Sequence, residues 1–519
     1  MALPGALALG AFLYRGLDPG AVVPRIVGHG EKPCVEPPAN DPTWPFKVRD
    51  AGQRNDLTEV PVRVTTRMPA RMSPTDFKPD VLIIGGAAAG LAAAASLKRR
   101  GVHNIVVLDK NESSGDIWRS RYHRLHLHDV AEECSLPGLD IPRDFPVFCT
   151  RQQYAEYLES YVRLLDLPVR NLSTVTKMER VPANGSWVVN VANLHTGLSE
   201  TYTAKHVVLA NGIYNDAAVP KVPGQNTFKG LQVHSSRYTN AADLGLKGKR
   251  VLVVGFGNSS GEIAVDLCEH GAMPTILARS PQTIVPRWFI EKLEHSLYTH
   301  VMPLARLPFG WALALALGLL VDPLSYAVQA YCYPDMAQLG IPLSLKPPAY
   351  RFLFEQEPPL MDVGTVELAR RGALKVIGLQ SITRIYEDAV EFTNGVREPF
   401  AAIVWATGYE QFAGHRHFMG PELLARCGTG VEALLTKRIL PGSQHPDLPG
   451  LWHNFGRLQM VRDGSRRLAG GIAASLGATS PYDAIDAGDS WAATLAKHAV
   501  VGTAALFVRQ QLAAPTSKL

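Results

Sequence analysis

The stretch DVLIIGGAAAG, residues 80–90, decides the fold class of this chain. Four apolar residues run into a pair of glycines, and an alanine-rich segment follows that ends near Gly101. A second apolar stretch, NIVVLD, ends at Asp109. Strand, glycine turn, helix and strand in this order are typical of the opening βαβ unit of a dinucleotide-binding domain.

The same pattern occurs a second time in RVLVVGFGNSSGE, residues 250–262. It predicts a strand, a glycine turn and a helix through His270, and the apolar stretch PTILARS comes next. A single GxGxxG match is a weak signal, but two complete units in one chain are more informative. The predicted fold class is therefore α/β, with two dinucleotide-binding, Rossmann-like domains.

The small residues of the first unit have different predicted roles. Gly85 makes the tight turn and Gly90 allows helix and strand to pack closely, whereas Ala87 stands where the backbone approaches a pyrophosphate. Asp109 is placed to accept the ribose hydroxyls of an unphosphorylated adenosine, which fits FAD or NAD. Because Ala87 adds a methyl group at the phosphate position, a unit that has lost its ligand stays open as an alternative.

The second unit predicts a different nucleotide. Gly255 and Gly257 are in place, and Ser260 substitutes for the third small residue. At the end of the next strand the chain has Arg279 and Ser280 in place of an acid. An arginine there can pair with a 2′-phosphate, so NADPH is the simplest ligand, and a solvated surface charge is the alternative.

Composition limits the function classes. A chain of 519 residues predicts two or more packed cores. The net charge of +5 comes from short basic clusters, which argues against nucleic acid as the partner. Six cysteines without a CxxC pair favour a reducing compartment over zinc or dithiol chemistry.

The apolar run at residues 311–321 is too short to span a membrane. It predicts a buried or lid helix in a cytoplasmic protein, with membrane-surface contact as the alternative, and the oligomeric state stays open.

One further segment carries a resemblance to a known family. FKGLQVHSSRY, residues 228–238, matches the FxGxxxHxxxY signature of flavin-containing monooxygenases at Phe228, Gly230, His234 and Tyr238. The other matching stretches are GDIWRSRYHRLHLH, FPVFCTRQQYAEYLESY, VLVVGFGNSSGEIAVDL, ARSPQTIVPR, PPLMDVGTVE and the ATGY turn. The match extends over residues 80–490, and within the family it most resembles the YUCCA flavin monooxygenases of plants. We expect the signature residues to be architectural.

The resemblance implies an NADPH domain inserted into a discontinuous FAD domain. The expected division is an extension (1–78), an N-terminal segment of the FAD domain (79–213), the NADPH domain (214–346), a C-terminal segment of the FAD domain (347–500) and a tail (501–519). The stretch IVWATGYE, residues 403–410, is interpreted as the return of the chain to the first domain.

The resemblance also implies the cofactors, FAD and NADPH, and the residues that hold them. The predicted cofactor-binding residues are Gly85, Gly86, Ala87, Ala88, Ala89, Gly90, Asp109, Lys110, Ile117, Trp118, Leu127, Gly255, Phe256, Gly257, Asn258, Ser259, Ser260, Arg279, Ser280, Thr407 and Gly408. In such enzymes NADPH passes hydride to the flavin, and the reduced flavin captures dioxygen as a C4a-peroxide that the protein keeps dry. The expected partners are dioxygen and a small-molecule substrate.

His128 is the predicted catalytic residue. In heteroatom-oxidising relatives an asparagine stands near the flavin, and here the YUCCA-like pattern LxLH puts His128 in its place. The histidine can donate a hydrogen bond to the peroxide or attract a carboxylate, or it can pack beside the flavin with its nitrogens satisfied by backbone. A metal site at His123, His126 and His128 is not predicted, because no cysteine or acid has zinc-type spacing.

The sequence leaves three functions from two classes open. The first is oxidative decarboxylation of an aromatic 2-oxo acid, indole-3-pyruvate to indole-3-acetate, a step of auxin biosynthesis. The second is a broad nitrogen or sulfur oxygenase. The third, motivated by Ala87, is a pseudoenzyme or an uncoupled NADPH oxidase.

Overall fold

The computed structural model describes residues 76–291, 322–323, 325–346, 351, 358–428, 437 and 439–479. The predicted helix at 311–321, the tail at 501–519 and the extension, apart from residues 76–78, lie outside these ranges. Much of the segment around 290–360 also lies outside them. None of the helices described combines the length and the apolar character that crossing a bilayer requires.

The described elements are mostly short strands, and runs of consecutive strands separate the α-helices. In chain order the strands are β1 (Asp76–Phe77), β2 (Val81–Ile84), β3 (Ile105–Leu108), β4 (Val169–Arg170), β5 (Ser173–Arg180), β6 (Trp187–Asn193), β7 (Ser199–Ala204), β8 (His206–Leu209), β9 (Asp216–Ala217), β10 (Leu231–His234), β11 (Arg250–Val254), β12 (Met273–Ala278), β13 (Ile284–Pro286), β14 (Leu360–Asp362), β15 (Lys375–Gly378), β16 (Ile382–Ile385), β17 (Ala389–Phe392), β18 (Arg397–Pro399), β19 (Ala402–Trp405), β20 (Tyr409–Glu410), β21 (Ser443–Gln444) and β22 (Leu451–His453). The α-helices are α1 (Ala88–Arg99), α2 (Asp116–Arg119), α3 (Arg151–Leu164), α4 (Asn258–Glu269), α5 (Arg287–Phe289), α6 (Thr365–Arg370), α7 (Pro421–Cys427) and α8 (Leu458–Leu476).

The first large sheet has the strand order β21-β22-β8-β2-β3-β4 and is parallel except at β21. All residues of β2 and β3 are buried, which explains why both strands are apolar without alternation. On one face Leu82 shares a cluster with Trp187 of the four-stranded sheet β1-β7-β6-β5. On the other face Ile83 shares a cluster with Leu91 of α1 and Leu468 of α8. This is the sheet of the first dinucleotide unit.

The second large sheet has the order β10-β19-β11-β12-β15, and all its strands are parallel. On one face Val253 shares a cluster with Ile263 of α4 and Val366 of α6. The opposite face is covered by the antiparallel sheet β16-β17-β18. Ile403 of β19 shares a cluster there with Phe392 of β17. The two large sheets are separate, with a glycine turn after β2 in the first and after β11 in the second, and this confirms the predicted fold class.

One boundary interpretation is wrong. We assigned IVWATGYE to the return of the chain to the first domain, but β19 lies between β10 and β11 in the second sheet. Strand β15, which we assigned to the C-terminal segment of the FAD domain, pairs with β12. The chain returns after β19, where β20 pairs antiparallel with β9, so the outgoing and returning connections run side by side. An apolar strand followed by a small-residue turn fits either sheet, and the sequence does not specify the partner strand.

Candidate cofactor and active site

The first glycine turn has no room for larger residues at two positions. Gly85 has φ +108°, a left-handed conformation, and a Cβ there would overlap the carbonyl oxygen of Ala210. A Cβ on Gly90 would overlap the carbonyl oxygen of Gly85. These glycines let the start of α1 approach the ends of β2 and β8, as the sequence analysis predicts for the turn and for the packing.

The N-terminus of α1 fits a bound pyrophosphate. The side chain of its capping residue, Ala87, has no atom that could accept a hydrogen bond from the first backbone N–H groups, and the first turn contains no acidic residue. These N–H groups are therefore available to a ligand. Ala87 has φ −91° and ψ −167°, an extended conformation open to any residue. Ala88 is buried and Ala89 is partly buried. The residues present therefore suit a dinucleotide, with the Ala87 methyl beside the phosphate position.

Asp109 lies at the end of β3, against the same turn. Its Oδ2 accepts a hydrogen bond from the Gly86 N–H at 2.6 Å, and its Oδ1 accepts one from the Asn111 N–H at 2.8 Å. Burial raises the pKa of Asp109, while the hydrogen bonds from Asn111 and Gly86 act to lower it. The carboxylate is fixed at the strand end where ribose recognition was predicted.

The other residues predicted for the first site divide into three groups. Lys110 is exposed beyond β3. Ile117 and Trp118 are partly exposed on α2, and the Trp118 ring meets Tyr154 edge-on at 5.0 Å between centroids. Leu127 is 4% exposed and belongs to the core of the first domain.

The second glycine turn differs from the first at its middle position. Gly255 has φ +119°, and a Cβ there would overlap the carbonyl oxygen of Ala406. A Cβ added at Gly257, by contrast, would meet no described protein atom within 4 Å, and φ there is −121°. The fold itself does not require a glycine at 257, so the space there is available to a ligand.

Two more residues of this turn form defined hydrogen bonds. The Ser260 hydroxyl accepts from the Gly257 N–H at 2.8 Å and donates to the Gly257 carbonyl at 2.7 Å, which explains why a serine fits. Asn258 accepts a hydrogen bond from the Met361 N–H at 2.7 Å. Phe256 is buried in the second core, and Ser259 is partly exposed.

Arg279 and Ser280 follow β12 directly and are both exposed. Among the residues that the structure describes, the Arg279 guanidinium has no ion-pair partner. A charge at the carboxyl end of this strand, near the start of α4, is where a 2′-phosphate would be recognised.

The signature segment makes structural contacts. The His234 Nε2 lies 2.9 Å from the Gly408 carbonyl oxygen, and Thr407 Oγ1 donates to the Ala218 carbonyl at 2.5 Å. The Tyr238 hydroxyl donates to Asp266 Oδ2 at 2.5 Å. These bonds fasten the ATGY turn and helix α4 to the connection between the two large sheets, which is an architectural task.

Three histidines that follow α2 have three different partners. His123 Nδ1 lies 2.8 Å from Asn240 Nδ2, and His126 Nδ1 lies 2.8 Å from the Arg124 carbonyl oxygen. His128 Nε2 lies 3.2 Å from Glu262 Oε1 on α4. Burial lowers the pKa of His126. The structure thus places His128 between the two dinucleotide units, against the helix that opens with the second glycine turn.

Two further residues are functional candidates that the sequence does not predict. Glu262 is buried on α4, and nothing in a helical pattern marks its contact with a distant histidine. Arg287 begins α5, with its guanidinium carbon 4.4 Å from the centroid of the Phe148 ring. Within the described part of the chain it forms no ion pair. Its neighbour Phe289 and Phe148 belong to one apolar cluster, which joins a loop of the first domain to the second.

Cys427, His445 and His453 bring possible metal-ligand atoms within 4.8 Å of one another. His445, however, places Nε2 3.1 Å from the Cys427 carbonyl oxygen and accepts the Asp447 N–H on Nδ1 at 3.1 Å. Both of its ring nitrogens are therefore occupied by backbone. The cluster offers two free ligand atoms, fewer than the three or four protein ligands of a zinc site.

Comparison with known sequences gives consistent relatives. The family model described as pyridine nucleotide-disulphide oxidoreductase matches residues 82–290. The probable indole-3-pyruvate monooxygenase YUCCA10 of Arabidopsis thaliana is 36% identical over 331 residues, which cover 64% of this chain and 81% of that protein. The indole-3-pyruvate monooxygenase YUCCA1 of Oryza sativa subsp. japonica is 32% identical, over 66% of this chain and 79% of the relative.

Solved structures share the fold. A flavin-containing monooxygenase from Stenotrophomonas maltophilia superposes with a TM-score of 0.54 at 21% identity, covering 77% of this chain and 99% of that one. A cyclohexanone monooxygenase from Rhodococcus sp. Phi1 bound to NADP+ superposes with a TM-score of 0.57 at 19% identity, covering 78% and 85%.

Proposed function

The chain belongs to the YUCCA flavin monooxygenases, enzymes that work with FAD and NADPH, and we propose that its reaction is the oxidative decarboxylation of an aromatic 2-oxo acid. Indole-3-pyruvate, named in the relatives, is the proposed substrate, and indole-3-acetate is the product. The observation that carries the proposal is the position of His128, between the two dinucleotide units and in contact with helix α4.

The overall reaction balances with one NADPH and one dioxygen. One oxygen atom enters the new carboxylate, and the bond between the keto carbon and the original carboxylate breaks to release carbon dioxide. The second oxygen atom leaves as water with the two electrons of NADPH and two protons. When bound, the flavin would supply hydride acceptance and oxygen activation at C4a, which amino-acid side chains do not provide.

The chain's own residues would hold the two nucleotides at the two glycine turns. In the first, the uncapped N-terminus of α1 would bind the FAD pyrophosphate and Asp109 the ribose. In the second, the space above Gly257 and the exposed Arg279 would take the pyrophosphate and 2′-phosphate of NADPH.

We propose that the FAD domain consists of residues 79–213 and 409–479 and that the NADPH domain consists of residues 214–408. The reducing compartment indicated by the cysteines supports a cytoplasmic location.

Arg287 is the proposed site for the substrate carboxylate. Its guanidinium is half-buried over Phe148 and lacks an ion-pair partner among described residues, so it can form a charge-assisted pair with an acid. Val130, Phe289 and Met361 of the adjoining apolar cluster are buried, and the partly buried Trp288 and Val363 at its edge are where an aromatic ring would pack. His128 would orient the keto group and help exclude water.

Arg279 and Arg287 provide a reciprocal test. We expect Arg287→Met to raise KM for indole-3-pyruvate about tenfold or more, with little change for NADPH, because a charged hydrogen bond contributes about 1.5–3 kcal/mol. Arg279→Ala should raise KM for NADPH by a similar factor, with little change for the 2-oxo acid or for NADH. Steady-state kinetics on both variants measure this. If Arg287→Met weakens NADPH and leaves the acid unchanged, the carboxylate assignment is wrong.

A further inference from the structure

The loop that carries His128 is fastened to helix α4 at two points. Arg124 donates to Glu269 through Nε and Nη2, both at 3.0 Å, and His128 Nε2 lies 3.2 Å from Glu262 Oε1. Seven residues along a helix span about 10.5 Å, and four residues of extended chain span about 13 Å. The loop is therefore long enough to reach both glutamates, and because the earlier loop residue meets the later helix residue, it runs antiparallel along one face of α4.

The two glutamates differ in their surroundings. The Glu269 side chain is 51% exposed, whereas the Glu262 side chain is 2% exposed. Glu262 Oε2 and the hydroxyl of Tyr122, which is 4% exposed, lie close together, although within the described ranges neither makes a hydrogen bond of good geometry. Burial first, and then the charge of Glu262, raise the pKa of Tyr122 well above its usual value. A buried carboxylate costs stability unless it is hydrogen-bonded, and the hydrogen bond that the structure gives this one goes to His128, which points to a role toward that ring.

We propose that Glu262 is the positioning residue of His128, an inference that rests on the proposed role of His128 in the reaction. A carboxylate only accepts hydrogen bonds, so the neutral imidazole beside it must carry its proton on Nε2. Nδ1 is then the lone-pair nitrogen, and the ring presents an acceptor on its other side. Glu262 fixes both the tautomer and the orientation of the ring.

The same contact ties His128 to the nucleotide. Glu262 lies on α4, whose N-terminus is the proposed pyrophosphate site, and its carboxylate reaches a loop of the first domain. The orientation of the His128 ring is therefore set by the proposed NADPH domain, whereas the backbone of His128 belongs to the proposed FAD domain.

Three variants of the full-length, flavin-loaded protein test the proposal. Glu262→Gln keeps the shape and removes the charge, and its amide can satisfy either histidine tautomer. Glu262→Asp keeps the charge on a shorter side chain. Glu269→Gln is the matched control, because it breaks the other contact between the same helix and the same loop. Melting temperature and flavin content identify any variant that fails to fold.

The first readout is the tautomer of His128 by ¹⁵N NMR of histidine-labelled protein, with its signal assigned by its loss in His128→Asn. The wild type and Glu269→Gln should show protonated Nε2, Glu262→Gln a mixture of tautomers, and Glu262→Asp partial recovery. An Nδ1-protonated wild type, or a Glu262→Gln spectrum identical to wild type, would overturn the proposal.

The second readout is the product formed per NADPH oxidised. In Glu262→Gln we expect this ratio to fall at least about tenfold and hydrogen peroxide to rise, while flavin reduction by NADPH stays within about threefold, because a misoriented histidine no longer serves the oxygenation step. In Glu269→Gln the ratio should stay within about twofold of wild type. An equal fall in both variants would show a merely structural effect. If the wild type oxygenates no 2-oxo acid, the proposed function fails, and the NMR readout still judges the positioning role.

Discussion

The variant Gly257→Ala separates two requirements at this position: the space that a bound nucleotide needs and the space that the folded chain needs. A Cβ there meets no described protein atom within 4 Å, and φ is −121°, so the protein can accept the methyl group. Alanine is a poorer N-cap than glycine by about 0.5–1 kcal/mol, and it restricts the unfolded chain by about 0.4–1 kcal/mol. The two effects oppose each other, and the free energy of unfolding should change by less than about 0.5 kcal/mol.

NADPH binding should change much more. The methyl group would stand where the pyrophosphate approaches the N-terminus of α4, and losing one charge-assisted hydrogen bond costs about 1.5–3 kcal/mol, or roughly ten- to hundredfold in Kd. Calorimetric NADP+ titration and urea unfolding of Gly257→Ala measure the two quantities, with FAD content as an internal control. Gly255→Ala, strained at φ +119°, should instead disrupt the second domain. Unchanged NADP+ affinity in a stable Gly257→Ala protein would refute the reasoning.

Three further predictions concern the first turn, His128 and a buried histidine. Ala87→Gly should bind FAD equally or more tightly, whereas Gly85→Val should abolish binding; flavin absorbance per protein measures both. His128→Asn should lower decarboxylation and give partial sulfur or nitrogen oxidation, and product analysis on 2-oxo acids and thioethers decides this. Burial lowers the pKa of His415 from 6.5 to about 4. Between those values the unfolded chain binds a proton that the folded chain does not, so stability falls as the pH falls, by about 1 kcal/mol from neutral pH to about pH 5.5. Other buried histidines with a lowered pKa add to this loss, so urea unfolding at both pH values should show a loss in wild type that exceeds the loss in His415→Asn by about 1 kcal/mol.

The sequence predicts the two α/β units because each contains its whole signal within a short segment. Gly85 and Gly90 stand next to the strand and helix that they join, and their steric needs follow from local backbone geometry. The position of β19 could not be predicted in this way. Its pairing with β11 and β10 joins residues far apart in the chain, and a buried parallel strand reads the same in either sheet.

The candidate site shows the same division. The geometry of the two glycine turns and the position of Asp109 at the end of its strand could be predicted from local patterns, but the contact of Glu262 could not. Its contact with His128 spans 134 positions of the chain and crosses from one domain to the other. Arg287 lay inside a family-like stretch, yet its role depends on the nearby Phe148 ring and on the lack of a described acidic partner, both properties of the folded chain.

The most direct test of the central claim is a single assay on the purified, flavin-loaded protein with indole-3-pyruvate, NADPH and dioxygen. Carbon dioxide, indole-3-acetate, hydrogen peroxide and NADPH consumption are measured in the same reaction, with an amine and a thioether as comparison substrates. We predict one carbon dioxide and one indole-3-acetate per NADPH with the 2-oxo acid, and mainly peroxide with the other two. Efficient oxygenation of the amine or thioether with the 2-oxo acid left untouched would contradict the account.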